Sequence, residues 1–101
     1  MRILICDSET NGLTPDKVWC TVLKEYKKEE YFVFINDHYL NNPIVANISG
    51  RSGTTVLPLS IFKEFLITLG STEPVRLCGH NVIDYDFHVW LKLLDIDVFQ
   101  L

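Results

Sequence analysis

Two acidic residues, Asp7 and Glu9, follow the first apolar run of the chain and are separated by a single serine. In an extended strand, residues two apart point to the same face, so both carboxylates are expected to project together where the strand gives way to a turn. Carboxylates that share a face can hold a divalent cation. Acidic residues after a strand also commonly cap a turn or lie in water, so the pair alone leaves both interpretations open.

A second acidic pair lies near the end of the chain, where Asp84 and Asp86 precede an apolar pattern with helical spacing. Acidic residues at the start of a helix bond its free amides and interact favourably with its dipole, and we expect this capping role for Asp84. Asp86 lies two residues further on, where its side chain is expected to face back towards the strand ends. Asp7, Glu9 and Asp86 would then form one carboxylate cluster.

An all-oxygen ligand set of this kind suits Mg²⁺ or Mn²⁺, which keep bound water and bind substrate phosphates. Two such ions, about 3.5 to 4 Å apart, are suited to the hydrolysis of a phosphodiester. One ion lowers the pKa of the attacking water and the other stabilises the leaving oxygen, so one carboxylate must bridge both. The expected cofactors are therefore two Mg²⁺ or Mn²⁺ ions.

Composition limits the classes of protein to which the chain can belong. Its 101 residues fit one domain, and 48% of them are apolar, which is enough for a core. A net charge of −4 argues against binding nucleic acid through bulk positive charge, although metal ions can still bind phosphates. Cys6, Cys20 and Cys78 include no C-x-x-C pair, which argues against a zinc site or a disulfide framework. We expect a soluble, cytoplasmic protein in a reducing compartment, without a membrane-spanning segment.

Three strands are predicted in the first part of the chain. Residues 2–7 form an apolar run typical of a central strand that is buried on both faces. Residues 18–23 and 31–35 are rich in β-branched and aromatic side chains and are predicted to pair as a hairpin. Residues 36–56, rich in Asn, Gly, Ser and Thr, are predicted to be a long exposed connection.

The rest of the chain is predicted to add a helix, a strand and a second helix. Apolar residues recur at helical spacing from Pro58, and Gly70 is the expected terminator. Residues 75–79 are predicted to form a strand, and residues 84–95 a helix. The order β-β-β-α-β-α allows the last strand to pair in parallel with the first, giving a mixed α/β sheet. Both strands would end at the edge of the sheet where ligands collect.

At these two positions the sequence resembles a known family. Residues 7–13, DSETNGL, resemble the first motif, D-x-E-x-x-G-L, of the DEDD (DnaQ-like) 3′-to-5′ exonucleases. Residues 80–86, HNVIDYD, resemble the second motif, H-N-x-x-x-Y/F-D. The closest likeness is to the N-terminal proofreading domain of phage-type family-A DNA polymerases. The resemblance spans essentially the whole chain and implies an RNase H-like fold, a single-stranded DNA 3′ end as substrate, a polymerase domain in the parent gene and, for a phage protein, the host cytoplasm.

The resemblance also implies a role for individual residues. Asp7 would bridge two metal ions, Glu9 would bind the tighter one and Asp86 the second, so these three residues would be both the metal ligands and the catalytic groups. The residues expected to position the second motif or to contact the terminal nucleotides are Asn11, Gly12, Leu13, Asn81 and Tyr85. His80 is expected to be a hydrogen-bonded support rather than a ligand.

The chain departs from the family in one respect. In the exonuclease family, a third motif, Y-x-x-x-D or H-x-x-x-D, supplies the fourth carboxylate and the residue that orients the attacking water. In this chain no such motif follows Asp86. Asp95 and Asp97 have no Tyr or His four residues earlier, and residues 96–101 end on apolar side chains. We therefore expect residues 1–101 to be a partial exonuclease domain that lacks the last strand and helix and hydrolyses DNA weakly or not at all.

Two alternatives remain open at this point. The chain could be a non-catalytic RNase H-like module for binding or assembly, whose exposed sheet edges pair with a second copy to form a homodimer. It could also be an RNA-directed exonuclease like the oligoribonucleases. Six aromatic residues are expected to pack in the core rather than to stack on bases: Trp19, Phe32, Phe34, Phe62, Phe65 and Trp90.

Overall fold

The computed structural model describes residues 1–12, 16–80 and 82–100, apart from the side chain of residue 84. This part of the chain forms an α/β domain with a five-stranded mixed sheet and three helices. The strands and helices are β1 (Arg2–Thr10), β2 (Val18–Glu25), β3 (Tyr31–Ile35), α1 (Pro43–Ser49), β4 (Thr54–Pro58), α2 (Phe62–Thr72), β5 (Val75–Cys78) and α3 (Phe87–Leu94).

The strands lie in the order β4-β3-β2-β1-β5. The first three form an antiparallel meander, β4 runs parallel to β3, and β5 runs parallel to β1. The predicted hairpin of β2 and β3 and the parallel pairing of the first strand with residues 75–78 are confirmed. β1 lies inside the sheet, between β2 and β5, but the central strand is β2 and not β1 as predicted. Because β1 and β5 are parallel, the residues that follow them meet at the same edge of the sheet.

Helices α2 and α3 cover one face of the sheet and form the core with it. Phe34 of β3 lies between two rings of α2, with centroids 4.8 Å from Phe62 and 5.0 Å from Phe65. Phe62 in turn packs edge to face against Trp90 of α3, at 5.0 Å. Such ring pairs stabilise a core beyond the burial of their area. The prediction of core packing is therefore confirmed for Phe34, Phe62, Phe65 and Trp90.

The prediction that β1 is buried on both faces is wrong. Its side chains alternate between the core, where Leu4, Cys6 and Ser8 are buried, and the opposite face. On that opposite face Ile5 remains 39% exposed, since α2 and α3 both pack on the core side. We call the face that carries Ile5 and Asp7 the open face of β1.

The prediction that residues 36–56 are a connection without regular structure is wrong, although none of these residues is buried. They include a 3₁₀ turn at Asp37–Tyr39, the helix α1 and the start of β4. The local signals for α1 are the side chain of Asn42, which accepts a hydrogen bond from the amide of Ile44 at 2.9 Å, and a proline at the first helical position. The element order is therefore β-β-β-α-β-α-β-α.

Both predicted helices begin later than expected. Pro58 ends β4, a 3₁₀ turn follows, and α2 begins at Phe62 and continues past Gly70 to Thr72. The last helix begins at Phe87 because a π-helical turn, Val82–Asp86, precedes it. Among the described residues, none of the helices combines the length and the apolar character needed to cross a membrane.

Candidate functional site

The two sequence motifs lie at the shared end of the parallel strands β1 and β5. Immediately after β5, a Cβ atom on Gly79 would lie 2.5 Å from the carbonyl oxygen of Cys6, closer than any real side chain allows. The Cys6 thiol donates a hydrogen bond to the carbonyl of Cys78 at 3.2 Å. Glycine is therefore required at this position, and it brings the segment after β5 next to the strand that carries Asp7 and Glu9.

Asp86 lies at the end of the π-helical turn and is only 3% exposed. Burial, followed by the negative charge of Asp7 and, more weakly, that of Glu9, raises its pKa from 3.8 to about 6, although the backbone amide of Ser8 acts to lower it. Its Oδ2 atom is buried without a hydrogen-bond partner among the described residues. A buried carboxylate oxygen without a partner is costly, and π-helical turns occur frequently at functional sites.

Asp7 and Glu9 lie on the open face of β1 and are exposed. Within the described part of the chain, neither carboxylate has a hydrogen bond or an ion pair that offsets its charge. Glu9 lies directly opposite Cys20 of β2, and burial, followed by the charges of Glu9 and Asp7, raises the pKa of that thiol. The acidic pair therefore produces a local negative field that is not compensated.

The three predicted ligands do not form one preformed group. Asp7 and Glu9 are on the open face, whereas Asp86 is buried behind the strand. Across residues 1–12, 16–80 and 82–100, no set of three or more His, Cys, Asp or Glu side chains is placed to hold a metal ion. Their donor chemistry nevertheless fits a hard divalent cation, because all three are carboxylates and one oxygen of Asp86 has no partner. Coordination by these three residues remains a prediction.

Between the two acidic residues, Ser8 points into the core and fixes the strand. Its hydroxyl accepts a hydrogen bond from the Trp90 indole N–H at 2.8 Å and lies 2.9 Å from the Thr21 hydroxyl. All three residues are buried, so the network joins α3, β1 and β2 directly beneath Asp7 and Glu9. Sequence reasoning missed this network. Its signal was a small polar residue at a core-facing position of an otherwise apolar strand.

Tyr85 joins the second motif to the first. Its hydroxyl donates a hydrogen bond to the carbonyl of Gly12 at 3.1 Å and lies 2.5 Å from the Thr10 hydroxyl. Gly12 has a φ of +144°, a conformation that favours glycine. The contact connects the π-helical turn to the end of β1. A role of Tyr85 in substrate binding stays a prediction.

The remaining predicted site residues divide into two groups. The Asn11 side chain closes its own loop: it accepts hydrogen bonds from the amides of Asp16 and Lys17 at 3.1 and 3.2 Å and donates to the Asp16 carboxylate. Its amide is therefore already engaged in the absence of substrate. Leu13, Asn81 and the side chain of Asp84 lie outside the described residues. His80 is exposed between β5 and the π-helical turn.

The prediction that Trp19 packs in the core is wrong, because this side chain is 36% exposed. The pairing of β1 with β2 shifts by one residue here: Glu9 faces Cys20, whereas Thr10 faces Val18, so Trp19 has no partner across the strand. Such a bulge redirects a side chain. No pattern in the sequence marks this shift, since it depends on the hydrogen bonding of two strands.

A cleft of about 730 Å³ is lined by described residues that belong to neither motif. Residues of α2, β5 and α3 line it, and apart from Ser71 and Arg76 their side chains are apolar. Among the described residues that line it, none is acidic. The cleft therefore offers no ligand for a hard cation, and the candidate site remains the end of β1 and β5 that carries Asp7, Glu9 and Asp86.

Comparisons of the chain with profiles of protein families, with curated protein sequences and with solved structures returned no match in any of the three.

Proposed function

We propose that the chain is a metal-dependent 3′-to-5′ exonuclease domain of the DEDD type, built on an RNase H-like sheet and acting on single-stranded DNA. One observation carries the proposal: among the described residues, a buried Asp86 oxygen has no hydrogen-bond partner, and the two exposed carboxylates of β1, Asp7 and Glu9, have no ion pair or hydrogen bond. Burying a carboxylate beside further negative charge destabilises a fold, and a bound cation would remove that cost.

The topology agrees with this proposal. An antiparallel meander, β1 to β3, is followed by a strand parallel to β1, and both motifs of the resemblance lie at the shared end of β1 and β5. Tyr85 joins the second motif to the end of β1 through Gly12. These contacts bring together segments that are more than 70 residues apart in the sequence.

In this function Asp7, Glu9 and Asp86 hold the cations, which when bound polarise the phosphate and lower the pKa of a water molecule. Ser8, held by Trp90 and Thr21, fixes the strand between the two exposed ligands. Tyr85 holds the π-helical turn that carries Asp86. The sequence has no third motif to supply a fourth carboxylate, so we expect weak cation binding and slow turnover.

The test combines a melting curve with a cleavage assay. At Mn²⁺ concentrations about tenfold above the dissociation constant, binding adds about 1.4 kcal/mol, which raises the melting temperature of a domain of this size by roughly 6 to 11 °C. We expect Asp7→Asn to abolish this increase. The matched control is Glu64→Gln, at an exposed position on α2, which should retain the increase.

Cleavage is measured on a single-stranded DNA oligonucleotide labelled at its 5′ end. We expect slow, Mn²⁺-dependent shortening from the 3′ end that Asp7→Asn abolishes. Faster shortening of an RNA oligonucleotide of the same sequence would instead support the RNA-directed alternative. The absence of both shortening and any Mn²⁺-dependent melting shift would contradict the proposal.

The second candidate function is a non-catalytic module for binding or assembly. The observation in its favour is that the described residues contain no preformed group of three metal ligands. A module of this kind would melt at the same temperature with and without Mn²⁺. It would also retain its stability and its binding when Asp7 and Glu9 are both replaced by their amides.

A further inference from the structure

An exposed tryptophan with a lysine over its ring precedes the residue of β2 that pairs with Glu9. The Lys17 ammonium is 5.2 Å from the centroid of the Trp19 ring, and Tyr39 packs against the same ring at 5.1 Å, inclined by 60°. His38 packs edge to face on Tyr39 at 4.9 Å and is itself exposed. We call Lys17, Trp19, Tyr39 and His38 the aromatic cluster.

The position of this cluster relates it to the candidate site. Cys20 lies directly across from Glu9, and Trp19 precedes Cys20 at the bulge. The backbone of Trp19 is fixed, because its carbonyl accepts a hydrogen bond from the amide of Asn36 at 2.8 Å. The ring is thus held on a rigid strand within one residue of the position opposite Glu9.

The surroundings of Trp19 differ from those of a packing residue. Trp90, the other tryptophan, is fully buried, with its indole N–H bonded to Ser8. Trp19 instead keeps 36% of its surface exposed, and the group over its ring is a cation rather than an apolar side chain. At an exposed site the attraction between an ammonium and a ring is weak, so little free energy opposes its replacement by a flat base.

We propose that Trp19 is a stacking platform for a base of single-stranded DNA close to the 3′ end, with Lys17 moving from the ring to the adjoining phosphate. The choice of ligand rests on the proposed nuclease function. Stacking suits this chain, since its net charge of −4 disfavours binding through a broad positive surface, whereas a base stacks on an aromatic ring irrespective of that charge. Tyr39 supports the ring from its edge.

The first experiment measures binding of a fluorescein-labelled oligothymidylate by fluorescence anisotropy, in EDTA at low salt. Without a divalent cation no cleavage occurs, so the result does not depend on catalysis. We expect Trp19→Ala to weaken binding by about 5- to 150-fold, the range of one base–aromatic stack, and Trp19→Phe to recover most of the affinity. The same titration should quench the tryptophan emission of the wild-type protein and not that of Trp19→Phe, whose remaining tryptophan is buried.

A matched control is available at the opposite end of β2. Tyr26 is 49% exposed, and the Lys27 ammonium lies 5.3 Å from its ring centroid. Tyr26 and Lys27 therefore form the same kind of lysine–ring pair as Lys17 and Trp19, but at the end of β2 that is far from Glu9. We expect Tyr26→Ala to bind the oligonucleotide like the wild-type protein. An equal loss of affinity in Tyr26→Ala and Trp19→Ala would overturn the proposal, as would tighter binding of oligouridylate than of oligothymidylate.

The salt dependence tests the part assigned to Lys17. Each phosphate contact on a single strand contributes a slope of about −0.7 to a plot of log affinity against log salt concentration. We expect Lys17→Met to make the slope less negative by about that amount, while Trp19→Phe leaves it unchanged. An unchanged slope in Lys17→Met would contradict the transfer of the ammonium to phosphate.

The outcomes separate this proposal from the nuclease function. Asp7→Asn should lose cleavage yet bind the oligothymidylate in EDTA at least as tightly as the wild-type protein, because it removes a negative charge near the phosphates. Stacking without cleavage would support the aromatic cluster and contradict the nuclease. Cleavage with full affinity in Trp19→Ala would support the nuclease and overturn the stacking platform.

Discussion

Neighbouring residues of β1 lie in two different environments. On the core side, Leu4 is fully buried and Ser8 is bonded to Trp90 and Thr21. On the open face, Ile5 is 39% exposed and Asp7 has no partner among the described residues. Because strand side chains alternate, one short segment can stabilise the fold with one set of residues and present charged groups with the other. Substitutions on the two sides should therefore affect different measurements.

The largest expected difference is between the adjacent residues Leu4 and Ile5. Leu4→Ala removes a buried side chain and should lower the free energy of unfolding by about 2 to 5 kcal/mol. Ile5→Ala, on the open face, should lower it by less than about 1 kcal/mol. Urea unfolding of both variants, followed by circular dichroism, measures the difference. Equal losses would mean that something covers the open face of β1.

The second prediction concerns the pH dependence of stability in the metal-free protein. The pKa of Asp86 is raised from 3.8 to about 6, so the folded state binds this proton more tightly than the unfolded state. The contribution of Asp86 to the free energy of unfolding should therefore be largest at low pH. It should fall by on the order of 2 to 3 kcal/mol as the pH rises from about 4 to about 6. Asp86→Asn should remove this decrease.

The measurement is the urea midpoint between pH 3.5 and 7.5 for the wild-type protein and for Asp86→Asn. Other groups also titrate in this range, so the difference between the two curves isolates Asp86. We expect Asp86→Asn to be the more stable protein at pH 7.5. Parallel curves would show that burial and the field of Asp7 do not act on Asp86 as the geometry indicates.

The sequence allows the main features of the sheet to be predicted, because they depend on local patterns and general rules of topology. The parallel pairing of β5 with β1 follows from the helix between β3 and β5 and from the handedness of such connections. The packing of Phe62 and Trp90 follows from their helical spacing. β4 was missed, since a five-residue strand with two threonines resembles the loop before it.

The details of the site depended on contacts that no single-sequence pattern encodes. Trp19 becomes exposed through a shift of one residue in the pairing of β1 with β2. Ser8 finds its partners 13 and 82 residues away in the sequence. Asp86, at the end of the π-helical turn, is buried, whereas Asp7 and Glu9 on β1 are exposed. The motifs predict that Asp7, Glu9 and Asp86 lie at the same end of the sheet. The distances between their carboxylates depend on side-chain packing.

The third prediction tests the anchor on the core side of the strand. Ser8→Ala leaves the indole N–H of Trp90 without its partner and should cost about 1 to 3 kcal/mol of unfolding free energy. Trp90→Phe removes the N–H while keeping an aromatic ring against Phe62. In a double-mutant cycle, the combined variant should lose less than the sum of the two single losses. Strict additivity would mean that the hydrogen bond contributes nothing to the fold.

The smallest expected effect lies one residue away, on the open face. Asp7→Asn removes an exposed charge that stabilises nothing in the described chain and raises the pKa of Asp86. Its unfolding free energy at pH 7.5 should therefore stay within about 0.5 kcal/mol of the wild-type value, with any change towards greater stability. Glu64→Gln controls for the loss of one negative charge elsewhere. Because Ser8→Ala and Asp7→Asn alter adjacent residues, a loss of stability as large in Asp7→Asn would show that the open face also holds the fold together, and that its charges are structural.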